Sequence, residues 1–207
     1  MLLAAMQGCL ASLPFLRRDR WWIPIQILFP PLALIVLSWN VNANWFLAAF
    51  LLLAIVYWNA FRTRVPLYLT GREVERAILE RLPEGNFEFA DLGSGLGGLV
   101  GGLAKRKPEG KFFGIEIAPL PFAVGWGRCR KLANCEMVWG SYEKIDLSRF
   151  DFVYAFLSPV PMKGLFDKAK REMKHGSVFV SNSFDVPGID ADEILDVGGR
   201  TLYFWKM

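Results

Sequence analysis

Apolar positions run unbroken in the first part of the chain and become periodic after residue 61. From Trp21 to Phe61 there is no charged residue. A polar turn, Asn40-Val41-Asn42-Ala43-Asn44, divides this run into Trp21–Trp39 and Trp45–Phe61, of 19 and 17 residues. A bilayer-crossing helix needs about 20 residues, so the pattern predicts a transmembrane helical hairpin over 21–61. Pro30-Pro31 falls midway along the first pass. Proline inside a helix removes a backbone bond and bends it, so the alternative is a hairpin that dips into the membrane and returns. Arg17, Arg18 and Arg20 precede Trp21-Trp22, and Trp58 and Phe61 precede Arg62 and Arg64. Tryptophan beside arginine marks a membrane interface, and basic clusters at both outer ends put both ends in the cytoplasm. Residues 1–20 read as an interfacial segment, because they lack the basic start of a signal peptide.

Residues 62–70, RTRVPLYLT from Arg62, read as a linker. Short apolar runs then alternate with stretches of helical period. The segment from Gly71 carries Val74, Ala77, Ile78 and Leu82 on one helical face. Thr70 with Glu73 three residues on suggests a capping box. Strands are predicted over Phe87–Leu92, Lys111–Ile117, Glu136–Trp139, Phe150–Leu157 and Gly176–Asn182. Helices are predicted over Leu96–Arg106, Pro121–Ala133 and Met162–Lys174. Glu193–Val197 and Thr201–Trp205, joined by Gly198-Gly199, read as a terminal hairpin. Alternating strands and helices make residues 71–207 an α/β domain of Rossmann-like type.

Charge changes this picture little. With 24 basic and 20 acidic residues the net charge is +4, too balanced to argue for a nucleic-acid partner. The three cysteines, Cys9, Cys129 and Cys135, lack a C-x-x-C pair, so neither a disulfide framework nor a metal site is expected. His175, the single histidine, stands at a helix-to-strand turn and reads as structural.

The candidate chemistry lies at Phe89–Gly98, FADLGSGLGG. A strand runs into glycines and then a helix, an arrangement that lets backbone approach a nucleotide-like ligand closely. Gly93, Gly95 and Gly98 satisfy a dinucleotide fingerprint. That fingerprint, however, normally keeps an apolar residue where Asp91 stands. The acidic-x-Gly-x-Gly-x-Gly pattern resembles motif I of class I S-adenosylmethionine (SAM)-dependent methyltransferases. The resemblance implies that Gly93, Ser94, Gly95 and Gly97 pack against the methionine part of SAM, with Asp91 beneath helping to place its amino end. Glu116, followed by Ile117, ends the second strand, where a carboxylate can accept hydrogen bonds from ribose hydroxyls. Such a carboxylate also serves NAD, so Glu116 does not choose the cofactor. The choice rests on Asp91 and the terminal hairpin, which the methyltransferase sheet has and NAD folds usually lack. After the third strand that family often carries an acidic residue for adenine. Here Ser141 stands there, with Tyr142 able to offer a ring face.

The membrane segment, the linker Val65-Pro66-Leu67-Tyr68-Leu69-Thr70 and the small domain together resemble a narrower group. These are the membrane-anchored lysine methyltransferases that modify the ATP synthase c subunit, and their bacterial relatives. That resemblance implies SAM contacts for Tyr68 and Thr70. Substrate is expected at the end of the fourth strand, at Ser158 and Pro159. The sequence expectation is thus an inner-membrane methyltransferase facing the cytoplasm, using SAM and no metal, with a lysine of a membrane-associated protein as acceptor. Alternatives are a lipophilic small molecule, such as a quinone precursor or lipid head group, and a non-catalytic SAM-binding module. No side chain is identified as a catalytic base.

Overall fold

The alternation of apolar positions after residue 87 resolves into a mixed seven-stranded sheet with helices on both faces. The computed structural model describes residues 22–39, 42–63 and 70–207. The expectations for residues 1–20, for Tyr68 and for most of the linker therefore lie outside the described residues. The chain divides into two units, residues 1–53 and 54–207.

Two helices occupy the uncharged run, α1 (Trp22–Ser38) and α2 (Ala43–Thr63). Leu28, Phe29 and Leu37 of α1, and Trp45, Phe50 and Leu52 of α2, are exposed. The expected pair of transmembrane passes is not found: among the described residues no helix is long and apolar enough to cross a membrane. At 1.5 Å per residue the 17 residues of α1 span about 26 Å, short of a hydrocarbon core of about 30 Å. Helix α2 is longer but takes in Asn44, Asn59 and Arg62.

The sheet domain begins with α3 (Arg72–Leu79). It continues through β1 (Glu88–Leu92), α4 (Gly98–Arg106), β2 (Lys111–Glu116), α5 (Pro119–Cys129) and β3 (Cys135–Trp139). After a short 3-10 turn come β4 (Phe152–Ala155), α6 (Pro159–Glu172), β5 (Val178–Asn182), β6 (Glu193–Val197) and β7 (Arg200–Lys206). Strand order is β3-β2-β1-β4-β5-β7-β6, with β7 antiparallel to both neighbours. The terminal hairpin places β7 between β5 and β6, as the resemblance to the methyltransferase sheet implies. The order reverses between β1 and β4, so loops at their carboxyl ends diverge and leave room for a ligand.

Strand alternation sorts the core onto two faces. Phe89, Phe112 and Phe152 face α3 and α4, with Phe89 centroids 5.6 Å from each of the other two. Ala90, Leu92, Ile115, Val153 and Phe179 face α6, which buries Met162, Leu165, Phe166 and Ala169. Each fully buried large apolar side chain contributes about 1.5–3 kcal/mol.

The absence of a disulfide expected from sequence is corrected by the fold. The turn after α5 returns the chain so that Cys129 and Cys135 meet as a disulfide, with Cα atoms 5.2 Å apart. This pairing depends on how α5 and β3 pack.

Candidate functional site

Parallel register sets one row of residues across the sheet: Met137, Gly114, Asp91, Tyr154 and Val180. Asp91 is thus held at the centre of the sheet, near the carboxyl end of β1. It is 4% exposed, and its carboxyl makes no hydrogen bond among the described residues. Burial first, and the neighbouring Glu116 second, push its pKa up to about 8. An unpaired carboxyl at this depth suits a ligand group that brings a positive charge.

The glycine loop is built above it. Gly93, Gly95 and Gly97 all have positive φ, 78°, 55° and 67°, a region that other residues enter only with strain. The Gly93 and Ser94 N–H groups both donate to the Ile115 carbonyl, at 2.9 and 3.0 Å. A Cβ at Gly97 would stand 2.9 Å from the Gly125 Cα, so this glycine lets the loop close on α5. The other glycines of α4 divide. A Cβ at Gly102 would collide with the Glu75 carboxylate, whereas one at Gly101 would meet nothing within 4 Å. Packing against α3, not ligand contact, accounts for Gly102.

Glu116 completes the loop. Its Oε2 accepts from the Gly95 N–H at 2.8 Å and its Oε1 from the Ala118 N–H at 2.7 Å. These bonds fix the carboxylate while each oxygen keeps a lone pair that a vicinal diol could use. Ile117 beside it is exposed, and its carbonyl accepts from the Trp139 indole at 3.1 Å. Ser141 Oγ accepts from the Glu143 N–H at 3.3 Å and starts the 3-10 turn carrying Tyr142. The turn sets Glu143 next to Ser141, a carboxylate one residue beyond the Ser141-Tyr142 pair singled out from sequence. Burial, and then Glu143, raise the Tyr142 phenol above its ordinary pKa.

Thr70 is not the cap it resembled. Gly71 is the N-cap of α3, without a side-chain cap, so the expected capping box does not form. The Thr70 hydroxyl instead meets the Tyr154 hydroxyl at 3.1 Å. Tyr154 is fully buried and also accepts from Asn182 Nδ2 at 2.7 Å, and Asn182 Oδ1 accepts from the Ser183 hydroxyl at 2.8 Å. Burial first, and Asp91 next, raise the Tyr154 phenol above its usual value, so it stays neutral. Ser183 is the sole non-glycine with positive φ, 69°, among the described residues, and such backbone strain gathers at functional sites. From sequence Tyr154 reads as a core residue that could also wall a pocket, and Asn182 carries no role beyond ending its strand. The available signal was a polar tip in each of two otherwise apolar strands.

At the carboxyl end of β4, a Cβ at Gly93 would stand 2.5 Å from Leu157 Cδ2, so this strand end abuts the glycine loop. Ser158 follows, 4% exposed, and its Oγ has no hydrogen-bond partner among the described residues. It is the N-cap of α6 yet makes no capping bond. Pro159, next to it, is exposed. The structure therefore brings together Asp91, Gly93, Ser94, Gly95, Gly97, Glu116 and Thr70. Ile117, Ser141 and Tyr142 lie along the adjoining β2–β3 edge, and Ser158 and Pro159 at the β4 end. No group able to hold a metal ion occurs among the described residues.

The site fits SAM. The unpaired Asp91 would receive the ammonium, the loop the methionine part, and Glu116 the ribose. The ANTKMT methyltransferase domain model matches residues 91–193. An RNA methyltransferase from Salinibacter ruber, crystallised with S-adenosyl-L-homocysteine, is similar over 67% of this chain and 93% of that chain, with 25% identity and a TM-score of 0.62. A precorrin-6y C5,15-methyltransferase from Geobacter metallireducens matches over 67% and 90%, at 17% identity and a TM-score of 0.54. A SAM-dependent methyltransferase from Aquifex aeolicus covers 64% and 88%, at 17% identity and a TM-score of 0.51. No curated protein matches the sequence.

Proposed function

We propose that this chain, a class I SAM-dependent methyltransferase, methylates a lysine of a membrane-associated protein. The enzyme class follows from the fold, the match across residues 91–193 and the S-adenosyl-L-homocysteine-bound relative. The acceptor is our reading. The observation that carries it is the ANTKMT domain match, which suggests protein lysine methylation.

SAM supplies an electrophilic sulfonium methyl that a nucleophile attacks in line. The protein's own residues then have three tasks. Asp91, the glycine loop and Glu116 fix the donor. The β4 end presents the acceptor, with Leu157 against Gly93 limiting water between them. A lysine ammonium, with a free pKa of about 10.4, must arrive deprotonated. A pocket walled by apolar groups lowers that pKa, because burial disfavours the charge. In this reading Ser158 Oγ accepts a hydrogen bond from the incoming Nζ and orients its lone pair; its burial without a partner supports the role.

Attachment to a membrane is the second part of the proposal. The uncharged run Trp21–Phe61, with exposed leucines and aromatics on α1 and α2, supports a hairpin that enters one leaflet and returns, the domain lying on the cytoplasmic side. Such an anchor would hold the enzyme beside a membrane-protein substrate.

The test uses SAM labelled in its methyl group, the purified protein, and membranes from a strain lacking it. Base-stable label in a small membrane protein is the expected result. Label in the lipid extract would refute the lysine reading and favour a lipophilic acceptor. Binding of SAM with no transfer to either fraction would favour a non-catalytic module.

A further inference from the structure

Helix α5 is apolar on both of its faces. Its buried face holds Pro121, Gly125 and Cys129. Its other face, in place of the polar residues a surface helix carries, exposes Leu120, Val124 and Trp126, the last at 50%. Pro119–Cys129 contains no acidic and no uncharged polar side chain apart from the cysteine. At its C-terminal end stand Arg128, Arg130 and Lys131, and no carboxylate occurs from Ile117 to Asn134. The Arg130 guanidinium lies over the Trp126 ring, 5.0 Å from its centroid. Trp139, 66% exposed, adjoins the same helix through Phe122, with ring centroids 6.2 Å apart.

Apolar side chains for the acyl boundary, indole rings for the head-group level and cations for phosphates are the ingredients of an interfacial helix. We propose that the outer face of α5 docks the methyltransferase domain onto an anionic lipid surface. The charge pattern chooses this occupant: three cations without one carboxylate complement anionic head groups, and the exposed tryptophans suit a boundary that is apolar on one side and wet on the other. The inference rests on the membrane attachment proposed above. Docking also touches the cofactor site, because Arg128 Nη1 donates to the Leu96 carbonyl of the glycine loop at 2.9 Å.

The full chain tests this. Cys9→Ser removes the third cysteine, and Val124→Cys admits a nitrobenzoxadiazole label on α5. Lys170→Cys, at an exposed position of α6, serves as the control. Leu120→Cys repeats the measurement, and a SAM-induced thermal shift verifies that each variant is folded. Vesicles of phosphatidylcholine, with or without phosphatidylglycerol, are separated by flotation, which reports attachment independently of the label. The expected result is a blue shift and protection from dithionite at position 124 with anionic vesicles only, and neither at position 170. Arg130→Gln and Lys131→Gln should each lower the docked-to-undocked ratio about fivefold. Unshifted emission at positions 120 and 124 in a chain that floats would overturn the docking while leaving the anchor intact. A blue shift without lipid would overturn it too, in favour of cover by another segment of this chain, or by a second copy if dilution abolishes it. A chain that does not float at all refutes the attachment itself, and this docking with it.

Discussion

Asp91 gives the sharpest expectation. Its carboxyl has an ordinary value of 3.8 and is pushed up to about 8 in the folded chain by burial, then by Glu116. Between these values the folded protein holds a proton that the unfolded chain releases. Stability therefore falls with rising pH, by about 1.4 kcal/mol per unit and on the order of 5 kcal/mol across the whole window. Asp91→Asn keeps the shape and cannot ionise, so this contribution disappears. Urea unfolding of SAM-free protein in mild detergent, from about pH 5.5 to about pH 7.5, should show wild type losing about 3 kcal/mol relative to the variant. SAM binding adds a second readout. If the bound ammonium draws Asp91 into its ionised form, about 0.9 proton is released per SAM bound at pH 7. Titration calorimetry in buffers of different ionisation heat measures that release, and Asp91→Asn should bind SAM weakly without it. Parallel pH slopes for the two proteins, with no proton release, would refute the reasoning, because Asp91 would then be ionised before SAM arrives.

Other expectations follow from single contacts. Ser158→Ala should leave the fold as stable or more stable by about 1 kcal/mol, since it removes an unpaired buried hydroxyl, yet lower the methyl-transfer rate; denaturation and labelled-SAM turnover check the two halves. Glu116→Gln should weaken SAM binding at least tenfold and lower Tm, because the amide oxygen can accept from only one of the Gly95 and Ala118 N–H groups, without charge assistance, and the amide NH2 cannot accept from the other. Gly97→Ala, with positive φ and a Cβ 2.9 Å from the Gly125 Cα, should cost about 1–3 kcal/mol. Gly101→Ala, in open space within α4, should stabilise by about 0.5–1 kcal/mol. Tyr154→Phe leaves Thr70 and Asn182 without their shared partner and should cost about 1–3 kcal/mol in urea unfolding.

Much of the domain was legible along the chain, because its signals are local. Short continuous apolar runs marked β1, β2, β4 and β5, which are buried on both faces, helical spacing marked α3 and α6, and Gly198-Gly199 marked the hairpin turn. Those patterns reflect which face of each element is apolar, a property of neighbours in sequence. Asp91, the glycines and Glu116 could be read for the same reason, since a strand-end carboxylate and a glycine turn are defined within a few residues. The uncharged run predicted two apolar helices but misjudged their reach, because hydropathy does not say where a helix starts and stops.

Register and packing decided what remained. Asp91 and Tyr154 lie in one row because β1 pairs with β4 in that register and no other. A slip of one residue would turn Tyr154 to the opposite face. Thr70 reaches Tyr154 across 84 residues of chain, so its hydroxyl looked like a cap when only its neighbours were considered. Cys129 and Cys135 meet because α5 packs beside β3, and Ser158 is buried without a partner where β4 passes into α6. The sequence by itself determined which residues the site has available; long-range pairing, which sequence spacing does not encode, determined which of them meet.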